Sequence, residues 1–145
     1  HGARCSSRAA EGPALITLDS SAIFGLTDRR DRSHAQLKRA LAADRGPYLI
    51  PAAILAEIGY MIESRLGTNA LLAFLGDLDA GYAVHHSSQA WARVAQLVKR
   101  YADLPLGFAD AAIVECAERH GGRVMTLDGH FAIVAREGRI AVLPE

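Results

Sequence analysis

The sequence predicts an α/β protein: a mostly parallel sheet with helices packed on both sides. Three observations predict it. Short apolar runs alternate with longer stretches of helical period along most of the chain. The short runs are continuously apolar rather than alternating, the pattern of strands covered on both faces. Ala, Leu, Val and Ile dominate and aromatics are few, which suits small-residue helices packed closely on a sheet.

The elements follow in order. Leu15-Ile16-Thr17-Leu18 is a strand ending at Asp19. Ser20 and Ser21 give a helix-start signal for a short helix over 22–26. Residues 27–32 are charged and turn-like. Residues 34–43 then form an amphipathic helix with Leu37 and Leu41 inward. Gly46-Pro47 breaks the chain before a strand at Tyr48-Leu49-Ile50, and Pro51 is placed to open the next helix, which stops near Gly67. A helix over 70–78 and a strand over 82–85 follow. Ser87 or Ser88 is placed to cap a helix over 89–101, whose expected apolar face is Trp91, Val94, Ala95 and Val98. A loop over 103–107 leads to a helix over 108–120, closed by Gly121-Gly122. A strand over 123–127 ends at Asp128. A short helical turn over 131–134 and a strand over 140–143 complete the chain.

At 145 residues the sequence supports one domain with a real core. Residues 1–13 have no signal-peptide core and no initiator Met, and are expected to be a flexible leader or an expression remnant. The domain is expected over 14–145. Sixteen basic residues balance sixteen acidic ones, so charge alone does not hold a nucleic acid. Two cysteines, Cys5 and Cys116, imply no disulfide framework, and a reducing cytoplasm is the expected compartment. No apolar run approaches a membrane span.

Four carboxylates carry the chemistry. In open α/β sheets, sites form at the carboxyl ends of strands. Asp19 and Asp128 each stand just past an apolar strand, in the like segments Thr17-Leu18-Asp19 and Thr126-Leu127-Asp128. Glu57 shares a helix side with Ile54 and Met61, which predicts a carboxylate turned toward the core or its edge. Such a charge needs a cation or several donors. Asp110 opens the 108–120 helix, where the helix dipole favours an anion. Oxygen ligands gathered at one sheet edge suit Mg²⁺ or Mn²⁺ and the hydrolysis of phosphodiesters. Zinc-type Cys/His spacing, a nucleophile elbow and a phosphate-binding P-loop are all missing from the sequence. Arg29, Arg30 and Arg32 form a basic run that is either a solvated face or a phosphate-steering patch. His85 and His86 end a strand as surface residues or substrate contacts. His130, close to Asp128, is a candidate substrate contact.

Leu18-Asp19-Ser20-Ser21-Ala22, Ala56-Glu57-Ile58, Asp103 to Ala111 and Thr126-Leu127-Asp128 together resemble a PIN domain, and most closely the VapC-type toxins of bacterial toxin–antitoxin pairs. The resemblance covers about residues 15–143. It implies a three-layer α/β/α sandwich and a Mg²⁺- or Mn²⁺-dependent endoribonuclease. Metal-site roles fall on Asp19, Glu57, Asp110 and Asp128, the last either directly or through water. Supporting hydroxyl roles fall on Ser21 and Thr126. The resemblance also implies a homodimer, a VapB-like antitoxin that blocks the site, and structured RNA such as tRNA or rRNA as substrate.

Two other readings make different demands. An Asp-dependent phosphatase or phosphotransferase of the haloacid-dehalogenase type expects a second Asp two residues after the first, where this chain has Ser21. A non-catalytic PIN-like scaffold would be free to lose Asp19, Glu57 and Asp110, all of which are present.

Overall fold

In the computed structural model, which describes residues 15–44, 46–81, the backbone of 84–86, and 89–144, the apolar runs pair into one sheet. The strands are β1 (Ile16–Leu18), β2 (Tyr48–Pro51), β3 (Val84–His86), β4 (Arg123–Met125) and β5 (Ala141–Leu143). Their order across the sheet is β3-β2-β1-β4-β5, and every neighbouring pair is parallel. The helices are α1 (Ser20–Thr27), α2 (His34–Ala43), α3 (Ala52–Leu66), α4 (Thr68–Asp79), α5 (Trp91–Arg100), α6 (Phe108–Arg119) and α7 (His130–Val134), the last running into a 3₁₀ turn at Ala135–Glu137.

This order fixes the layers. From β1 the chain moves outward through β2 to β3, then returns to the other side of β1 for β4 and β5. Right-handed crossovers therefore place the helices before β3 on one face and those after it on the other. The expected α/β/α sandwich results. The order in which the chain adds strands reverses between β1 and β4, so a crevice opens at their carboxyl ends. Leu18 pairs with Met125 in register there, and the Asp19 amide donates to the Met125 carbonyl at 3.1 Å.

The core is built by helical stripes closing on fully covered strands. Ile54, Ile58 and Ile62 form the buried line of α3, and Ala111 to Ala117 of α6 are buried without interruption. Such continuous burial follows from α6 lying over the centre of the sheet, against β1, β2 and β4, with α5 on its outer side. Gly25 marks a close approach of α1 to α2, since a Cβ there would stand 2.6 Å from Leu37 Cδ1. Gly67, at φ 94°, makes the sharp junction between α3 and α4 and lets α4 begin at Thr68, two residues earlier than its periodicity predicts.

Several expectations are corrected. The buried face of α5 is Val94 and Leu97, whereas Trp91 is 55% exposed and Ala95 and Val98 face solvent. Both stripes have helical spacing and share Val94, and the contact with α6 selects the second. Pro51 ends β2 and stands before α3 with extended backbone (ψ 130°) instead of opening its first turn. β4 stops at Met125, because the chain turns at Thr126 to bring that hydroxyl onto Asp19. Residues 1–14, with the expected leader and Cys5, lie outside the described residues, as do Tyr82, Ala83, Ser87 and Ser88. No helix among the described residues is long and apolar enough to cross a membrane.

Candidate active site

Asp19 is the residue most tightly fixed at the crevice. It directly follows β1 and caps α1, and it is only 2% exposed. Its Oδ1 accepts from the Ala22 amide and from the Ser21 hydroxyl, both at 2.8 Å. Its Oδ2 accepts from the Thr126 hydroxyl at 2.5 Å. A carboxylate offers about four lone-pair sites, so three are satisfied by protein and one remains open. Burial nonetheless holds the Asp19 carboxyl above the ordinary range, against the lowering effect of these donors.

The hydroxyls are themselves held. Ser21 Oγ accepts from the Leu127 amide at 2.9 Å, and Thr126 Oγ1 accepts from the Asp128 amide at 2.9 Å. The turn after β4 is thus tied to the turn after β1 through side chains.

Asp110, Asp128 and His130 form the second part of the site. One ligand atom from each lies within 4.8 Å of the others. Asp128 Oδ1 accepts from the His130 amide at 2.9 Å, and His130 Nδ1 stands 3.5 Å from the same oxygen. Asp110 sits half-buried in the first turn of α6. No donor among the described residues reaches its carboxylate. Desolvation, followed by the negative charges of Asp128 and Asp19, pushes its pKa up to about 6, while His130 opposes the rise.

Glu57 is near enough to add to the repulsion on Asp110. Of the two places the sequence allows for Glu57, the core or its edge, the structure has the edge, where the residue is solvent-exposed. It lies about 100° around α3 from Ile58, at the margin of the buried line. It lies outside the group formed by Asp110, Asp128 and His130.

Arg29 and Arg30 are not brought to this cluster. Both are exposed past the far end of α1, about 12 Å along the helix from Asp19. His85 and His86 lie in β3, and their side chains fall outside the described residues.

A family model for the PIN domain matches residues 16–137. The chain belongs to the PIN domain family. It is 31% identical over 136 residues to ribonuclease VapC26 of Mycobacterium tuberculosis, a match that covers 89% of this chain and all of that protein. Among solved structures, VapC20 of Mycobacterium tuberculosis, described as a toxin that cleaves the sarcin–ricin loop, superposes with a TM-score of 0.72 at 21% identity, over 82% of this chain and 94% of that one. VapBC2 of Rickettsia felis, solved with a DNA fragment from its promoter, gives 0.63 at 14% identity, over 88% and 96% of the respective chains.

The donor set of this PIN domain fits a divalent cation. A half-buried carboxylate with no hydrogen-bond donor among the described residues, crowded by two others, is stabilised at neutral pH by positive charge. Asp110 and Asp128 offer oxygen ligands, and His130 offers a ring nitrogen, within 4.8 Å of one another.

Two residues with structural or chemical weight were not assigned these roles from sequence. His130 joins the donor group itself. The signal was its place two residues after Asp128, but its distance from Asp110 depends on β4 lying beside β1. Glu115, inside the apolar stretch of α6, is 1% exposed, accepts from the Ala90 amide at 3.1 Å, and pairs with Gln89 and Arg119. It braces the start of α5 and stands apart from the acidic cluster. Cys116 is buried, with its thiol pushed up to about 11 by desolvation, so it is a packing residue.

Proposed function

We propose that this PIN domain is a Mg²⁺- or Mn²⁺-dependent endoribonuclease, the toxin of a VapBC-type toxin–antitoxin pair, with the cation held by Asp19, Glu57, Asp110 and Asp128. The observation that carries the reading is Asp110, a carboxylate without a donor among the described residues and with its pKa held at about 6 by burial and by Asp128 and Asp19. The full-length similarity to ribonuclease VapC26 supports RNA as the substrate. The toxin and antitoxin structures with the same fold support a VapB-like antitoxin as partner.

Each residue has a distinct task in this scheme. Ser21, Thr126 and the Ala22 amide hold Asp19 in one orientation, leaving a single lone-pair site for a cation. Asp110 and Asp128 supply negative charge that a cation must neutralise. A divalent ion bound among them supplies a water of lowered pKa and steadies the charge developing on the phosphate. The start of α6, which carries Asp110, adds a favourable dipole for the phosphate anion. His130 stands where it can contact either the cation or an RNA phosphate. Arg29 and Arg30, exposed beyond α1, would act only on distant parts of a structured RNA such as tRNA or rRNA. The protein works as a homodimer in the cytoplasm.

The test is cleavage of RNA by purified protein with Mn²⁺ or Mg²⁺. Asp110→Asn and Asp19→Asn should each abolish it, and Asn is chosen at 19 because it preserves the cap of α1. Full activity in excess chelator, or turnover of a small aryl phosphate in place of RNA, refutes the reading.

A further inference from the structure

In the donor group of Asp110, Asp128 and His130, only the last is not a carboxylate. Mg²⁺ is held by oxygen, so a ring nitrogen among the oxygens changes the chemistry of the site.

The place of this ring is fixed by its neighbours in the chain. The His130 amide donates to Asp128 Oδ1 at 2.9 Å, and the next residue, Phe131, is fully buried in the core. The Phe131 amide also reaches the Asp128 carbonyl at 3.3 Å. The first residue of α7 is thereby held against the turn that carries Asp128. A ring nitrogen comes within 4.8 Å of a carboxylate oxygen of Asp128 and of one from Asp110, which arrives on a different helix. Donors around one octahedral ion stand about 3–4 Å apart, so side-chain shifts of about 1 Å close the three atoms onto a single ion.

The ring has no other engagement to explain its place. Nδ1 stands 3.5 Å from Asp128 Oδ1, beyond a good hydrogen bond, and neither ring nitrogen has a hydrogen-bond partner among the described residues. The side chain is 42% exposed, so packing does not account for it either.

The donor types separate the two candidate ions. Mg²⁺ is hard, dehydrates reluctantly and takes oxygen ligands. Imidazole nitrogen is a softer donor, better matched to first-row transition ions than to Mg²⁺. Two carboxylates and one imidazole therefore form a mixed set that Mn²⁺ fills better than Mg²⁺.

We propose that His130 is a metal ligand and sets the selectivity of the site, which takes Mn²⁺ in preference to Mg²⁺ through this nitrogen. The inference rests on the cation site of the ribonuclease reading and deepens it. An order between the two ions replaces the choice between them, and the ring is assigned to the cation and not to an RNA phosphate.

The test uses the metals alone. Calorimetry on metal-free protein at pH 8 should give a lower Kd for Mn²⁺ than for Mg²⁺. His130→Gln should weaken Mn²⁺ binding at least about tenfold, the smaller loss typical even of residues that only support a ligand, and Mg²⁺ binding far less. His130→Asp, which exchanges nitrogen for oxygen, should recover binding and tilt the selectivity toward Mg²⁺. Electron spin-echo spectroscopy of bound Mn²⁺ should show a directly coupled nitrogen in the parent and none in His130→Gln. Equal losses for the two ions in His130→Gln, or bound Mn²⁺ without nitrogen coupling in the parent, overturns the proposal. So does a His130→Gln variant with unchanged Kd for both ions and a raised KM for RNA, which would assign the ring to a phosphate. A parent that binds Mn²⁺ through nitrogen and cuts no RNA fails the ribonuclease reading alone. Cleavage of RNA without nitrogen coupling fails only the ligand assignment.

Discussion

The Thr126 hydroxyl donates to the Asp19 carboxylate at 2.5 Å, joining the ends of two neighbouring parallel strands across a separation of 107 residues. The bond lies in the crevice where the strand order reverses. It fixes a buried charge that burial alone would drive toward its protonated form.

Removing that donor should therefore be costly twice over. Thr126→Val keeps the shape of the side chain and deletes the hydroxyl, leaving Asp19 Oδ2 and the Asp128 amide without their partner. A loss of about 1–3 kcal/mol in stability is expected from chemical denaturation. Affinity for Mn²⁺, measured by calorimetry, should fall as well, because the Asp19 carboxyl rises further and holds its proton. Ser21→Ala should act in the same direction. Unchanged metal affinity in Thr126→Val would remove the hydroxyl from the working site.

Asp110 makes a prediction about pH. Its folded pKa of about 6 lies above the ordinary 3.8, so between these values the folded state binds more protons than the unfolded chain. Stability from this group therefore rises as pH falls through 6 toward 3.8, and is lost as pH rises through 6. Metal-free protein should melt at a higher temperature at pH 5 than at pH 8, and Asp110→Asn should remove much of that difference. At pH 8 the same variant should melt above the metal-free parent, because repulsion from Asp128 and Asp19 is relieved. Saturating Mn²⁺ should raise the melting temperature of the parent at pH 8 and do much less at pH 5, where protons compete for the site. A metal-free melting temperature that climbs with pH over this range would contradict the crowded-carboxylate picture.

Far from the site, Arg93 of α5 binds Glu118 of α6 at 2.9 Å and Glu137 of the final 3₁₀ turn at 2.7 Å, with all three side chains largely buried. Tyr101 also donates to Glu137 at 2.7 Å, and that bond, followed by Arg93, holds the Glu137 carboxyl below its ordinary range. Arg93→Met should cost about 2 kcal/mol at pH 7, since two carboxylates each lose their shortest ion pair in a poorly solvated place, Glu137 keeping Arg100 and Tyr101 and Glu118 keeping Arg139. The contribution of Glu137 is present above pH 4.5 and fades as pH falls through its lower folded pKa, so the cost should shrink toward pH 3. Metal affinity should not change, which separates this scaffold network from the acidic cluster.

How much of this was legible in the sequence depends on whether local pattern or tertiary placement decides. Asp19 was legible because an apolar strand followed by Asp and serines defines both a strand end and a helix cap locally. Asp110 was legible as a helix-start acid, but its raised pKa needs the approach of β1 and β4. Trp91 was misread because two stripes of α5 have equal helical spacing, about a quarter turn apart, and only the docking on α6 chooses between them. His130 was read as a substrate contact, since nothing local to it reveals Asp110. Glu115 sat unremarked in an apolar run, because its partners at Gln89 and Ala90 are supplied by a different helix.

Glu57 shows the same limit and gives the last prediction. Sequence neighbours three and four residues away suggested a carboxylate turned toward the core or its edge, with a large cost if it were buried without a cation. The fold instead leaves it exposed at the margin of the Ile54, Ile58 and Ile62 line. An exposed carboxylate needs no partner to be tolerated, so Glu57→Gln should change stability by less than about 0.5 kcal/mol. Because Glu57 adds to the repulsion on Asp110, that small change should favour the metal-free variant. Its proposed role lies in holding the cation, and the substitution should weaken Mn²⁺ binding and lower RNA cleavage together. Calorimetry, melting and cleavage on one preparation decide the matter. A variant that is strongly destabilised would restore the buried-charge reading. One with unchanged metal affinity and activity would leave Asp19, Asp110, Asp128 and His130 as the complete donor set.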